Sequence, residues 1–136
     1  MKANELRIGN LFNPCDTKSG VCVPNSSIVW RVGMIDKFGK IAVIEPEQHD
    51  TIYLTINECS PIPLTEDWLL KFGFIEKDKW FYKEGFCIGY LTTEDNLQIE
   101  YSIAGHGGWK VLELKSVHQL QNLYFALTGE ELTIVE

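Results

Sequence analysis

The clearest pattern in the chain lies over residues 96–103, NLQIEYSI, where Leu97, Ile99, Tyr101 and Ile103 alternate with polar Gln98, Glu100 and Ser102. A period of two with one apolar side predicts a strand in an antiparallel sheet with one wet face. The same period runs through residues 79–83 and 86–92, which flank Glu84-Gly85, a two-residue hairpin turn by composition. Residues 109–114, WKVLEL, read as the last strand, with Gly105-His106-Gly107-Gly108 as the turn before it. Earlier in the chain, residues 28–36 alternate with Ile28, Trp30, Val32 and Met34 on one side and Val29, Arg31 and Ile35 on the other. Residues 40–45 return across a turn at Lys37-Phe38-Gly39, and residues 51–56 add a β-branched and aromatic strand. A first strand over residues 5–12 is interrupted by Gly9 and ended by Asn13-Pro14, and residues 13–27 read as a loop.

The period changes to 3.6 in two places. In LTEDWLLKFGF, Thr65 is placed to cap a helix, Glu66 and Asp67 suit its positive end, and Gly73 stops it. In KSVHQLQNLYFALTGEEL, Ser116 and Gln119 have the spacing of a capping box, and Gly129 follows the last periodic residue. Val117, Leu120, Leu123, Tyr124 and Leu127 fill one arc of that second helix. These elements predict an α+β protein in two packed parts. Residues 1–62 form a small β-rich part, a barrel or curled sheet of SH3-like size. Residues 63–136 form a helix, antiparallel meander and second helix, with helices over 65–72 and 117–128 and strands between 74 and 114. Pro61-Ile62-Pro63 is the seam.

Charge refines this picture. Of a net −7, residues 1–62 carry six Lys/Arg against seven Asp/Glu, and residues 63–136 six against twelve. An acidic total argues against nonspecific attraction to a phosphate backbone. No apolar run approaches the roughly 18 residues of a membrane span, and MKANELRIGN lacks the apolar centre of a signal peptide. The expected address is therefore cytoplasmic, and Cys15, Cys22, Cys59 and Cys87 are expected as unpaired thiols. A zinc site would need Cys15 and Cys22 joined by Cys59 and His49, a spacing that matches no established pattern. The expectation is no metal and no cofactor.

Three stretches together resemble a known group: KANELRIGNL, PIPLTEDWLLKFGF and VHQLQNLYFALTGEEL. They are similar to a family of small bacterial proteins found often in prophage or other mobile-element regions. The resemblance implies that a short chain of this layout is a complete unit. It carries over no activity and no site residue.

Candidate chemistry is sparse. No phosphate-cradle, nucleophile-elbow or zinc-protease pattern is present. His106, in GHGG, is the loop histidine around which a small-molecule or enzyme site could form, and His49, in a second loop, has no better claim. Trp80, Tyr82, Tyr90 and Tyr101 read as sheet packing or as a pocket lining. Two surfaces stand out instead. On the closing helix, Phe125 falls outside the apolar arc and beside His118, Gln121 and Asn122. That set predicts a protein contact, with an unknown partner or a second copy, and makes a non-enzymatic interaction module the leading reading. The alternative is a nucleic-acid contact on the hairpin that carries Arg31, Lys37, Phe38 and Lys40, where positive charge adjoins an aromatic ring.

Overall fold

The computed structural model describes residues 5–17, 20–44, 51–78, 80–93, 96–103 and 106–135, with the backbone alone for 44, 90–93, 96–103 and 106–113. The protein is α+β, strand-rich, with two antiparallel sheets and few helices. It divides into two compact units. One runs to Ile62 and takes in Ser116–Asn122; the other is Pro63–Lys115 with Leu123–Glu136.

The first unit holds β1 (Leu11–Asp16), β2 (Val23–Pro24), β3 (Trp30–Ile35), β4 (Ile41–Ile44), β5 (Thr51–Leu54) and β6 (Cys59–Ser60), in the order β2-β1-β3-β4-β5 with β6 also on β1. It is an open sheet. A turn at Arg7–Asn10 precedes β1. The buried Asn10 closes it by accepting the Arg7 N–H on Oδ1 at 2.7 Å, and Gly9 supplies the positive φ of 92°. The strand expected to stop at Asn13-Pro14 continues to Asp16. Pro14 is tolerated because β1 changes partners there. Leu11 and Phe12 pair with β3, Asn13 and Pro14 with β6, and Cys15 and Asp16 with β2. The missing N–H thus falls at a changeover of the ladder.

Cys15 and Cys22 are joined by a disulfide, with Cα atoms 5.1 Å apart, which corrects the expectation of four unpaired thiols. The antiparallel pairing of β1 with β2, Cys15 opposite Pro24 and Asp16 opposite Val23, brings the two cysteines within bridging reach, and spacing in sequence carried no sign of that geometry. Cys59 and Cys87 are free and buried.

The alternation of β3 is also corrected. Its ladder to β4 pairs Val32 with Val43 and then Met34 with Ala42, so one extra residue, Gly33, enters at a bulge. The phase shifts by one position. Val32 stays in the core while Met34 turns outward, 47% exposed, and Ile35 packs inward. The core comprises Leu6, Phe12, Val32, Ile41, Val43, Leu54 and Cys59, with Trp30, Ile35, Ile52 and Ile56 against it.

The second unit opens with α1 (Glu66–Lys71). The Thr65 carbonyl takes the first N–H groups, without a side-chain cap. Its end is a Schellman arrangement: Gly73 N–H donates to the Leu70 carbonyl at 2.9 Å and Phe74 N–H to that of Leu69 at 3.1 Å. Gly73 has φ 81°, and a Cβ there would stand 2.7 Å from Val135 Cγ2. Trp68, Leu69 and Phe72 form the buried side.

The meander follows as β7 (Ile75–Lys77), β8 (Trp80–Lys83), β9 (Phe86–Thr93), β10 (Asn96–Ile103) and β11 (His106–Glu113), each paired with the next. Glu84 and Gly85, with φ of 46° and 82°, make the expected two-residue turn between Lys83 and Phe86. The expected Gly105–Gly108 turn is corrected in part. β11 already begins at His106, opposite Ile103, and the next pair is Lys110 with Tyr101, so Gly107 and Gly108 fall in a bulge of the strand. Phe74, Phe86 and Tyr124 meet edge to face at centroid distances of 5.4–6.4 Å to form the centre of this unit's core. Tyr124 belongs to α2 (Val117–Thr128), which ends where Gly129, φ 75°, donates to the Phe125 carbonyl.

Candidate functional site

Two sets of residues stood out in the sequence, and the structure treats them differently. On α2, Val117, Leu120 and Tyr124 are buried as the apolar arc requires, but His118 and Gln121 are buried beside them, each 2% exposed. His118 and Gln121 and their partners all belong to the first unit. Gln121 accepts the Leu11 N–H on Oε1 at 2.9 Å and donates from Nε2 to the Gly9 carbonyl at 3.2 Å. Asn122 donates to the Glu5 carbonyl at 2.7 Å and accepts from Asn10 Nδ2 at 3.0 Å. The amides therefore satisfy backbone groups around the start of β1. Of the set expected as a protein contact, His118 and Gln121 are buried, and Asn122 is half-buried with its amide engaged on both sides. Of the four, Phe125 alone is exposed, at 37%.

His118 has Nδ1 3.0 Å from Ser116 Oγ, and Nε2 3.8 Å from the Glu5 carboxylate. The serine hydroxyl expected to cap the helix is thus turned to the imidazole, while Gln119 Oε1 accepts the Ser116 N–H at 3.3 Å. Burial lowers the His118 pKa below its ordinary 6.5, and the Glu5 carboxylate opposes that shift only in part. The unfolded chain then binds a proton that the folded chain refuses. Stability from this group is complete above about pH 6.5 and is lost as pH falls toward the lower folded value. Urea midpoints measured from pH 7.5 to 5 should decline, and His118→Gln should flatten that decline while leaving Glu5 in place.

The hairpin set is arranged otherwise. Asp36 folds the β3–β4 turn, its Oδ1 accepting the N–H groups of Phe38 and Lys40, both at 2.8 Å. Phe38 stands at the tip, 84% exposed, with the Lys37 ammonium 5.0 Å from its ring centroid. The Lys40 ammonium lies 6.0 Å from the ring of Tyr53 on β5, itself 57% exposed. The structure thus brings Lys37, Phe38 and Lys40 together and adds Tyr53, which the sequence pattern placed in a strand without assigning it a role. Its signal was the alternation of TIYL, in which Ile52 and Leu54 face the core and Tyr53 faces out. Arg31 is exposed but lies near the start of β3, at the opposite end of the strand from the turn that carries Lys37. Asp36, Phe38, Gly39, Lys40, Thr55 and Ile56 line a groove of about 300 Å³.

The remaining candidates carry less chemistry. His49 lies outside the described residues. His106 sits in β11 rather than in a loop, and its side chain, like those of Tyr90, Tyr101 and Trp109, is not among those described. Trp80 covers Gly89, its partner across the β8–β9 ladder, where any Cβ would strike the indole. Burial pushes the Cys59 thiol up to about 12, which removes it as a nucleophile or ligand at neutral pH. Cys15 and Cys22, joined to each other, present no thiolates, and among the described residues no group of three His, Cys, Asp or Glu side chains is placed to hold a metal ion. No described helix is long and apolar enough to cross a membrane.

No family model, no curated protein and no solved structure matches the chain.

Proposed function

We propose that the protein is a non-enzymatic nucleic-acid-binding accessory that works through the β3–β4 hairpin of its first unit. The observation that carries this reading is Phe38, 84% exposed at a turn between Lys37 and Lys40. A hairpin tip has no packing need for phenylalanine, and leaving that ring in water forgoes roughly 1.5–3 kcal/mol of burial. An exposed ring with an ammonium group 5.0 Å from its centroid suits a ligand with both aromatic faces and negative charge. The first unit supports a reading as an SH3-like module: β3, β4 and β5 form a meander, a 3₁₀ turn at Ile56–Glu58 follows, and β6 returns to β1. The second unit carries most of the acidic excess of the chain. The basic hairpin lies on the near-neutral part.

The test is salt-dependent retention. The protein should bind DNA or RNA at low ionic strength. Lys37→Gln with Lys40→Gln should weaken binding and reduce the slope of log K against log salt by roughly 0.7 for each phosphate that is no longer neutralised. Absence of retention on either nucleic acid at low salt sinks the reading.

A further inference from the structure

We propose that the ligand of this surface is a single strand, with one base stacked on Phe38 in the Asp36–Ile56 groove and a second on Tyr53. This inference rests on the nucleic-acid reading above and specifies it. The bulge at Gly33 is what builds the surface. By shifting β3 one position, it turns Met34 outward opposite Ala42, and Ala42 pairs with Tyr53 on β5. Met34 and Tyr53 are 47% and 57% exposed, while Ala42 between them is 3% exposed. The outer face of β3–β4–β5 therefore carries a shallow apolar row. By strand alternation Arg31, Lys40 and Thr51 share its side. Among the described residues of these three strands and Lys40, the charged side chains are Arg31 and Lys40, both positive.

The chemistry of this face favours unpaired bases over a duplex. A duplex offers phosphates and groove edges, and its base faces are stacked on one another. Only an unpaired strand presents flat rings to Phe38 and Tyr53 together with a phosphate for the ammonium beside each ring. The groove, about 300 Å³, sits at the small end of ligand clefts, which run from roughly 300 to 1,000 Å³. That is a size for one base rather than a helix or a groove-filling side-chain cluster. Asp36 has Oδ1 turned into the hairpin turn, where it accepts two backbone N–H groups. The same bonds hold the turn that presents Phe38, so little order has to be gained on binding.

The experiment uses the full chain and fluorescence anisotropy at low salt with three probes: an oligothymidylate of about ten nucleotides, the same length of duplex, and a polyglutamate peptide. The variants are Phe38→Ala, Phe38→Trp and Tyr53→Ala. All lie at exposed positions, and circular dichroism confirms that each is folded. The single strand should bind at least about tenfold tighter than the duplex. Phe38→Ala should weaken it on the order of tenfold without changing the salt slope, Tyr53→Ala should also weaken it, and Phe38→Trp should retain it. Equal affinity for duplex, or no effect of Phe38→Ala, overturns the inference while the nucleic-acid reading stands. Polyglutamate binding with the same Phe38 dependence overturns it in favour of an acidic peptide. Failure of both nucleic acids at low salt removes the inference together with the reading it rests on.

Discussion

Gln121→Met lowers the stability of the first unit by about 2–4 kcal/mol. Methionine keeps the length and helix propensity of glutamine, so the change removes hydrogen bonds without altering shape, among them the Leu11 N–H to Oε1 and Nε2 to the Gly9 carbonyl. The side chain is 2% exposed, so water does not replace what is removed. Each buried backbone group left unpaired costs about 1–3 kcal/mol, the carbonyl less than the amide because a second lone pair tolerates partial satisfaction. Amide hydrogen exchange supplies the local readout. Leu11 should lose protection in the variant before the amides of β4 and β5 do, because its acceptor is gone. A change within about 0.5 kcal/mol, typical of surface substitutions, with Leu11 protection intact, would return Gln121 to the surface role first expected of it.

That substitution also marks where the sequence stops being readable. Helix boundaries and turns have local causes, and these were legible. Gly129 and Gly73 end their helices at positive φ, and Gly85 closes the β8–β9 hairpin, because the conformations involved exclude most other residues. Gln121 has no such local cause. Its partners are 110 and 112 residues away. Counting polarity as exposure therefore put an amide on the surface when its task is to satisfy a distant strand. The bulge at Gly33 was hidden for a related reason. A glycine inside an alternating run is compatible with either phase, and only the partner strand decides which residues face the core. Met34 was accordingly assigned to the wrong side, and the outer face it helps to build went unseen. At the hairpin, by contrast, charge beside an aromatic ring at a turn is local information. Lys37, Phe38 and Lys40 were legible as a group, while Tyr53 joined them only through the β4–β5 pairing of Ala42 with Tyr53.

Phe12→Ala is the other large effect, a loss of about 3–5 kcal/mol. Phe12 and Phe38 are chemically the same side chain in the same unit, 0% and 84% exposed. Phe12 lies in β1 opposite Trp30, whose ring it meets edge to face at 6.3 Å, and it packs among Leu6, Val32, Ile41, Val43, Leu54 and Cys59. These neighbours come from the turn before β1, from β3, β4 and β5, and from β6, so no single segment can move to refill the space. The cost is therefore the lost transfer energy of the ring plus the cavity that remains, which places the variant in the upper part of the range for large-to-small changes. Phe38→Ala, removing the same atoms from water-exposed positions, should fall within about 0.5 kcal/mol of the parent. Urea unfolding followed by circular dichroism, with equal slopes required before midpoints are compared, separates the two. A loss below about 1 kcal/mol for Phe12→Ala would mean that β1 does not pack as described. The hairpin face, which depends on the same sheet for its bulge and its Met34–Ala42–Tyr53 row, would then lose its foundation as well.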